Sequence, residues 1–115
     1  MKKDQDRENR IAMDIIVDIY GEQEQMMGWY CYLDNHLKFP FMAKCILKRQ
    51  ISPLKLGEEV KVIEMADSEE CDSEMFVVIK YCDRNLAIPL IQLKPIKALS
   101  KTIQAIEDWH YWFKK

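Results

Sequence analysis

Glycine and histidine are scarce in this chain of 115 residues, and closely paired cysteines are missing. Its three glycines, Gly21, Gly28 and Gly57, stand apart, so no glycine-rich loop is present whose backbone amides would cradle a phosphate. Its two histidines, His36 and His110, have no serine, cysteine or carboxylate at a spacing that makes a triad or a metal pair, and no enzyme active site is expected. The four cysteines, Cys31, Cys45, Cys71 and Cys82, include no C-x-x-C, which removes the usual zinc spacing. Each reads as a small apolar filler or a free thiol. No apolar run approaches the roughly 20 residues needed to span a bilayer. The charged start, MKKDQDRENR, has no apolar stretch behind it and does not read as a secretory signal. The formal net charge of -2 gives no global field toward nucleic acid or anionic membranes. Together these absences lead to the expectation of a cytoplasmic, non-enzymatic domain that binds neither.

What is present suits an ordinary folded α+β domain over 1–115, with residues 1–6 polar and frayed: 49% of residues are hydrophobic and 31% charged. Ile11, Ile15, Ile16 and Ile19 recur at helical spacing and predict a helix over Arg7–Tyr20, stopped at Gly21. A second helix is predicted over Glu22–Leu37, striped by Met26, Tyr30, Leu33 and Leu37, with Gly28 either a break or a close contact. Short β-forming runs follow at Met42–Leu47, Glu59–Met65, Met75–Tyr81 and Leu86–Leu90, and Leu93–Ile96 closes the region. In the second run Val60, Val62 and Glu64 are in phase. Cys82-Asp83-Arg84-Asn85 reads as a tight turn. Short strands joined in this way suggest a small, strongly bent antiparallel sheet, an SH3-like barrel. A last helix is predicted over Thr102–Phe113, capped by Ser100 or Thr102. The cluster Trp109-His110-Tyr111-Trp112-Phe113 reads as packing or as an aromatic patch for a partner.

Charge is unevenly spread. Glu58–Glu74 holds eight acids and one base, Lys61, and its core Glu64–Glu74 has six carboxylates and no base. Such a run is either a solvated hairpin loop that discourages edge pairing or a source of ligands for a hard cation such as calcium, which takes about 6–8 oxygens. It is not an EF-hand: counted from Asp67, position 6 is Asp72 and position 12 is Val78, where glycine and an acid are required. A second group comprises Asp14, Asp18, Glu22 and Glu24, with Asp34 farther on. Acids in the first turn of a helix favour its dipole; alternatively, they form a discontinuous cation site at the break between two helices.

With these segments in view the chain resembles a known family, the small CcbP-type calcium-binding proteins first named in cyanobacteria. The resemblance runs from about Ile11 to Trp112. It is carried by Val17-Asp18-Ile19-Tyr20 followed by acids, Gly28-Trp29-Tyr30, Tyr32-Leu33-Asp34 and Phe39-Pro40-Phe41-Met42-Ala43-Lys44-Cys45. Ser52-Pro53-Leu54 with Gly57, Met65-Ala66 with Cys71, Glu74-Met75-Phe76-Val77, Ile88-Pro89-Leu90 with Gln92-Leu93, and Asp108-Trp109-His110-Tyr111-Trp112 continue it. The resemblance implies a bacterial protein with N-terminal helices, a compact bent sheet and Ca2+ held by carboxylates. It draws attention to Asp18, Glu22, Glu24 and Asp34 near the helices and to Asp67, Glu69, Glu70 and Asp72 in the loop. The function then expected is that of a calcium buffer or sensor with a non-EF-hand site. The rival expectation is a protein-interaction module on the sheet, with Trp29, Trp112 or exposed methionines meeting an unidentified protein partner.

Overall fold

The computed structural model describes residues 4–16 and 21–114. Helix α1, Gln5–Arg10, starts on Asp4, whose carboxylate accepts from the Arg7 amide at 3.0 Å. It continues as a wider π-helical stretch, Ile11–Ile15, closed by an Ile16 N–H to Ile11 carbonyl bond. Of residues 1–6, expected to fray, 4–6 form this capped first turn and 1–3 lie outside the described residues. The predicted end of this helix at Tyr20 lies outside the described residues; its described part is helical through Ile15.

Helix α2, Glu22–His36, runs unbroken through Gly28 and buries Met26, Trp29, Tyr32 and Leu33. Its last turn is closed by α3, Ser100–Phe113. The Thr102 hydroxyl donates to the His36 carbonyl at 3.3 Å and accepts from the Lys38 amide at 2.9 Å. Ser100 or Thr102 was expected to cap α3. Both lie inside that helix, and Thr102, fully buried, serves the end of α2, where a carbonyl without an intrahelical partner needs a donor. Leu99 occupies the cap position of α3 without a side-chain bond.

Five strands form one antiparallel sheet in the order β4-β3-β2-β1-β5: β1 is Phe41–Cys45, β2 Glu59–Met65, β3 Phe76–Tyr81, β4 Arg84–Pro89 and β5 Leu93–Lys97. The Phe39–Pro40 peptide leading into β1 is cis. Strand β1 ends at Cys45, two residues early, opposite the start of β5 at Leu93; the Ile46 amide still donates to the Gln92 carbonyl at 2.7 Å, but Leu90–Gln92 is a 3-10 turn and offers no further ladder. Cys82 and Asp83 both take positive φ, 48° and 64°, the two-residue turn whose twist matches a tight hairpin, so β4 begins at Arg84 rather than Leu86. Gly57 sits at φ 85°, where a side chain would be strained. Strands β4 and β5 are the two edges, so among the described residues the ladders give an open sheet, without the closure of a barrel.

The phase of β2 is corrected by a bulge. Val60 and Val62 are buried, but the register against β3 shifts between Val62 and Glu64. The extra residue, Ile63, moves Met65 into the core and Glu64 out to solvent, so that no unpaired carboxylate is buried.

The helices are fixed by one buried carboxylate. Asp108 on α3 is wholly shielded. Arg10 donates to it at 2.7 and 2.8 Å, Arg7 stands 3.0 Å away and the Tyr32 hydroxyl donates at 3.2 Å. Burial, then the charge of Asp108, pushes the Tyr32 phenol up to about 12. Around this network Trp29 packs edge-on to Trp109 at 5.2 Å and tilted to Trp112 at 5.5 Å.

Two outcomes follow. Arg10→Met should cost about 3 kcal/mol in urea unfolding, because it strips the main partner from a carboxylate that cannot reach water. Tyr32 holds its proton more tightly folded than unfolded, so stability should fall as pH rises from about 10 toward 12, by on the order of 2 kcal/mol. Tyr32→Phe should remove the largest part of that alkaline loss, and an unchanged slope would contradict the assignment.

Candidate functional site

The acidic segment leaves β2 at Met65 and returns to β3 at Phe76. Three tethers shape it. Arg49 donates both terminal guanidinium nitrogens to Glu74, at 2.8 and 3.2 Å, and Glu74 is buried. The buried Cys71 sulfur accepts from the Phe76 amide at 3.3 Å, and burial pushes its thiol pKa up, which suits a structural rather than a reactive role. The Tyr30 hydroxyl, reaching across from α2, donates to the Ala66 carbonyl at 3.0 Å. Turn bonds from Glu70 to Asp67 and from Cys71 to Ser68 complete the loop. Glu74 is thereby committed to Arg49 rather than to a metal ion, while Asp67, Glu69, Glu70 and Asp72 stay exposed.

The loop lies against the first half of α2. A groove of about 510 Å³ between them is lined by Glu22, Gln23, Gln25 and Met26 from the helix, Asp72 and Ser73 from the loop, and Trp112 and Phe113 from α3. A second groove, of about 550 Å³, runs along the next helical turn, with Glu24, Met27 and Cys31 facing Ser68, Cys71 and Asp72. Asp72 borders both. The two acidic groups separated by some 50 residues of sequence thus meet.

The expected ligands do not all gather. Glu22 and Asp72 share the first groove, and Glu24 and Asp72 the second. Asp34 lies near the end of α2; it and Asp67 both act on the Tyr30 phenol, whose pKa is raised by burial first and then by Asp34. Glu69 and Glu70 line neither groove. Asp18 lies outside the described residues. Among the described residues no three His, Cys, Asp or Glu side chains converge closely enough to hold a metal by themselves.

The donor chemistry nonetheless fits a hard cation. The first groove offers two carboxylates, two side-chain amides and a hydroxyl, and calcium accepts such mixed oxygen ligands together with backbone carbonyls and water. Among the described residues none of Glu22, Glu24, Asp67, Glu69, Glu70 and Asp72 makes an ion pair, whereas Asp4, Glu74, Glu107 and Asp108 all do. The acids around the grooves thus have charge left to be screened. The neutral donors Gln23, Gln25 and Ser73 were not singled out as ligands in the sequence; their only signal there is that they alternate with or adjoin the acids.

Comparison of the whole chain with known proteins bears on its family and its α+β scaffold. Residues 9–113 match the family model Calci_bind_CcbP, described as calcium binding. The chain belongs to that family. The crystal structure of Anabaena CcbP superposes with a TM-score of 0.87 at 36% identity, covering 100% of this chain and 94% of that one. A calcium binding protein in the calcium-binding form superposes at 0.84 with 37% identity, covering 97% of this chain and 92% of that one. No curated protein matches the sequence.

Proposed function

We propose that this protein binds Ca2+ through a non-EF-hand site in the groove between the start of α2 and the acidic loop, serving as a cytoplasmic calcium buffer or sensor rather than as an enzyme. The observation that carries the reading is the meeting of Glu22 and Asp72 across one groove, with no protein cation to neutralise either among the described residues. Glu22, Asp72 and the oxygens of Gln23, Gln25 and Ser73 are the proposed inner ligands. Asp18, Glu24, Asp34, Asp67, Glu69 and Glu70 supply further ligands or the surrounding negative potential. A buffer needs no more than this. A sensor also needs an element with two arrangements, and the strap from Arg49 to Glu74 at the end of the loop is the natural place for one.

The interaction-module reading is narrower than the sequence suggested. Trp29 is 0% exposed and cannot meet a partner. Met13 and Met27 are exposed, while Met26, Met65 and Met75 are buried. Bending of the open sheet toward an SH3-like shape belongs to this second reading.

Isothermal titration of chelator-stripped protein tests the proposal. Calcium should bind in preference to magnesium, and saturation at about 100 times Kd should add roughly 2.7 kcal/mol to unfolding stability. Asp72→Asn should weaken binding by at least roughly tenfold, since carboxylate count sets affinity in such sites. Absence of both heat and thermal shift at millimolar calcium would remove the proposal.

A further inference from the structure

The sheet register assembles something that neither the sequence order nor the calcium reading contains. Met42 on β1 lies opposite Lys61 on β2 and Lys97 on β5, and Lys61 lies opposite Lys80 on β3. One step along, Lys44 lies opposite Lys94. Directly opposed residues share a face, and here it is the solvent face: all five lysines are exposed, while Ala43, Val60, Val62 and Ile79 point into the core. Lys97, Lys61 and Lys80 therefore form a row across four strands, about 14 Å long at the usual strand spacing. Like charges directly opposite destabilise a ladder, yet among the described residues none of the five makes an ion pair. The one acid opposite any of them is Glu59, across from Lys44.

Beside this face stands an apolar, basic loop. Residues 44–57 carry four cations and no acid, and among the described residues Arg49 alone of the four makes an ion pair. Ile51 and Leu56 are 63% and 65% exposed, and Ile46 and Leu47 are 40% exposed. The loop is held in place by buried Leu54, by the Arg49–Glu74 pair and by the Gly57 amide bond to the Cys45 carbonyl at 2.8 Å. Its base adjoins the lysine face, since Ile46 and Lys94 line one cleft.

We infer that the lysine face and this loop form a docking surface for an anionic lipid bilayer, with lysines against the headgroups and Ile51 and Leu56 inserted between them. Electrostatic attraction combined with shallow burial of aliphatic side chains is the chemistry of peripheral membrane attachment. A nucleic acid would use the lysines but has no use for the aliphatic loop, and the lysine rows carry no arginine or aromatic ring for base contact. The small net charge conceals this surface because the chain's acids, many of them in the loop between β2 and β3, offset the lysines in the total.

The full chain should sediment with vesicles of equal parts phosphatidylcholine and phosphatidylserine, and much less with phosphatidylcholine alone. Chelator throughout excludes calcium bridging, so the result is independent of the proposed calcium site. Each lysine near such a surface is worth roughly fivefold in affinity, so Lys61→Gln with Lys80→Gln should weaken binding about 25-fold. Raising salt from about 0.1 M to about 1 M should release the protein. Ile51→Ser with Leu56→Ser should also weaken binding while leaving the circular dichroism spectrum unchanged, as both side chains are exposed. Equal binding to neutral and anionic vesicles, no binding to either, indifference to the lysine pair, or retention by a nucleic acid duplex in preference to vesicles would each overturn the inference.

Discussion

The carboxylate of Asp108 on α3 is shielded from water and takes its partners from the two other helices: Arg7 and Arg10 on α1 and Tyr32 on α2. A buried charge of this kind is poor evidence for net stability, because desolvation offsets much of the attraction. Its consequence is positional. Any displacement of one helix leaves an ion stranded in a low-dielectric interior, so the helices have one acceptable arrangement. Helix α2, held at Tyr32, presents Glu22 and Glu24 at its first turn and Tyr30 midway. Tyr30 then reaches the Ala66 carbonyl at the root of the acidic loop. The proposed calcium groove depends on that chain of contacts from α3 through α2 to the loop.

The acidic loop follows the same logic with the opposite outcome. Its one buried carboxylate, Glu74, has a cation dedicated to it, and its one buried thiol is hydrogen-bonded to the backbone. The remaining acids face outward without partners among the described residues. Division of the carboxylates into one paired anchor and several unpaired neighbours separates holding the loop from offering its charge. Asp72, next to the anchored Cys71, is placed by this framework between two grooves.

Much of this was legible in the sequence because it is local. Helix α2, the β2 segment and the C-terminal helix follow from periodicity and turn residues, and the density of acids in Glu64–Glu74 is visible by inspection. What was not legible depends on distant partners. Asp108 borders the apolar stripe Ala105, Ile106 and Trp109, and nothing nearby announces that arginines 98 and 101 positions earlier will neutralise it. Thr102 looked like a cap because its service to α2 is 66 residues away. The alternation in β2 misplaced Glu64 because a bulge is a property of the pair of strands, not of one. The lysines at 44, 61, 80, 94 and 97 are unremarkable in order and adjacent only in register. Of the residues that line the first groove, Glu22 and Asp72 were singled out in the sequence, while Gln23, Gln25 and Ser73 carry no charge signature.

The central claim is that the start of α2 and the acidic loop close on one cation. A crystal of the protein grown with calcium tests it most directly. The account predicts a density peak in the groove bounded by Glu22 and Asp72, with oxygens from both elements at about 2.3–2.6 Å and six to eight ligands in all. Calcium held by the loop alone, or a groove empty at saturating calcium with Glu22 and Asp72 turned to solvent, would contradict it.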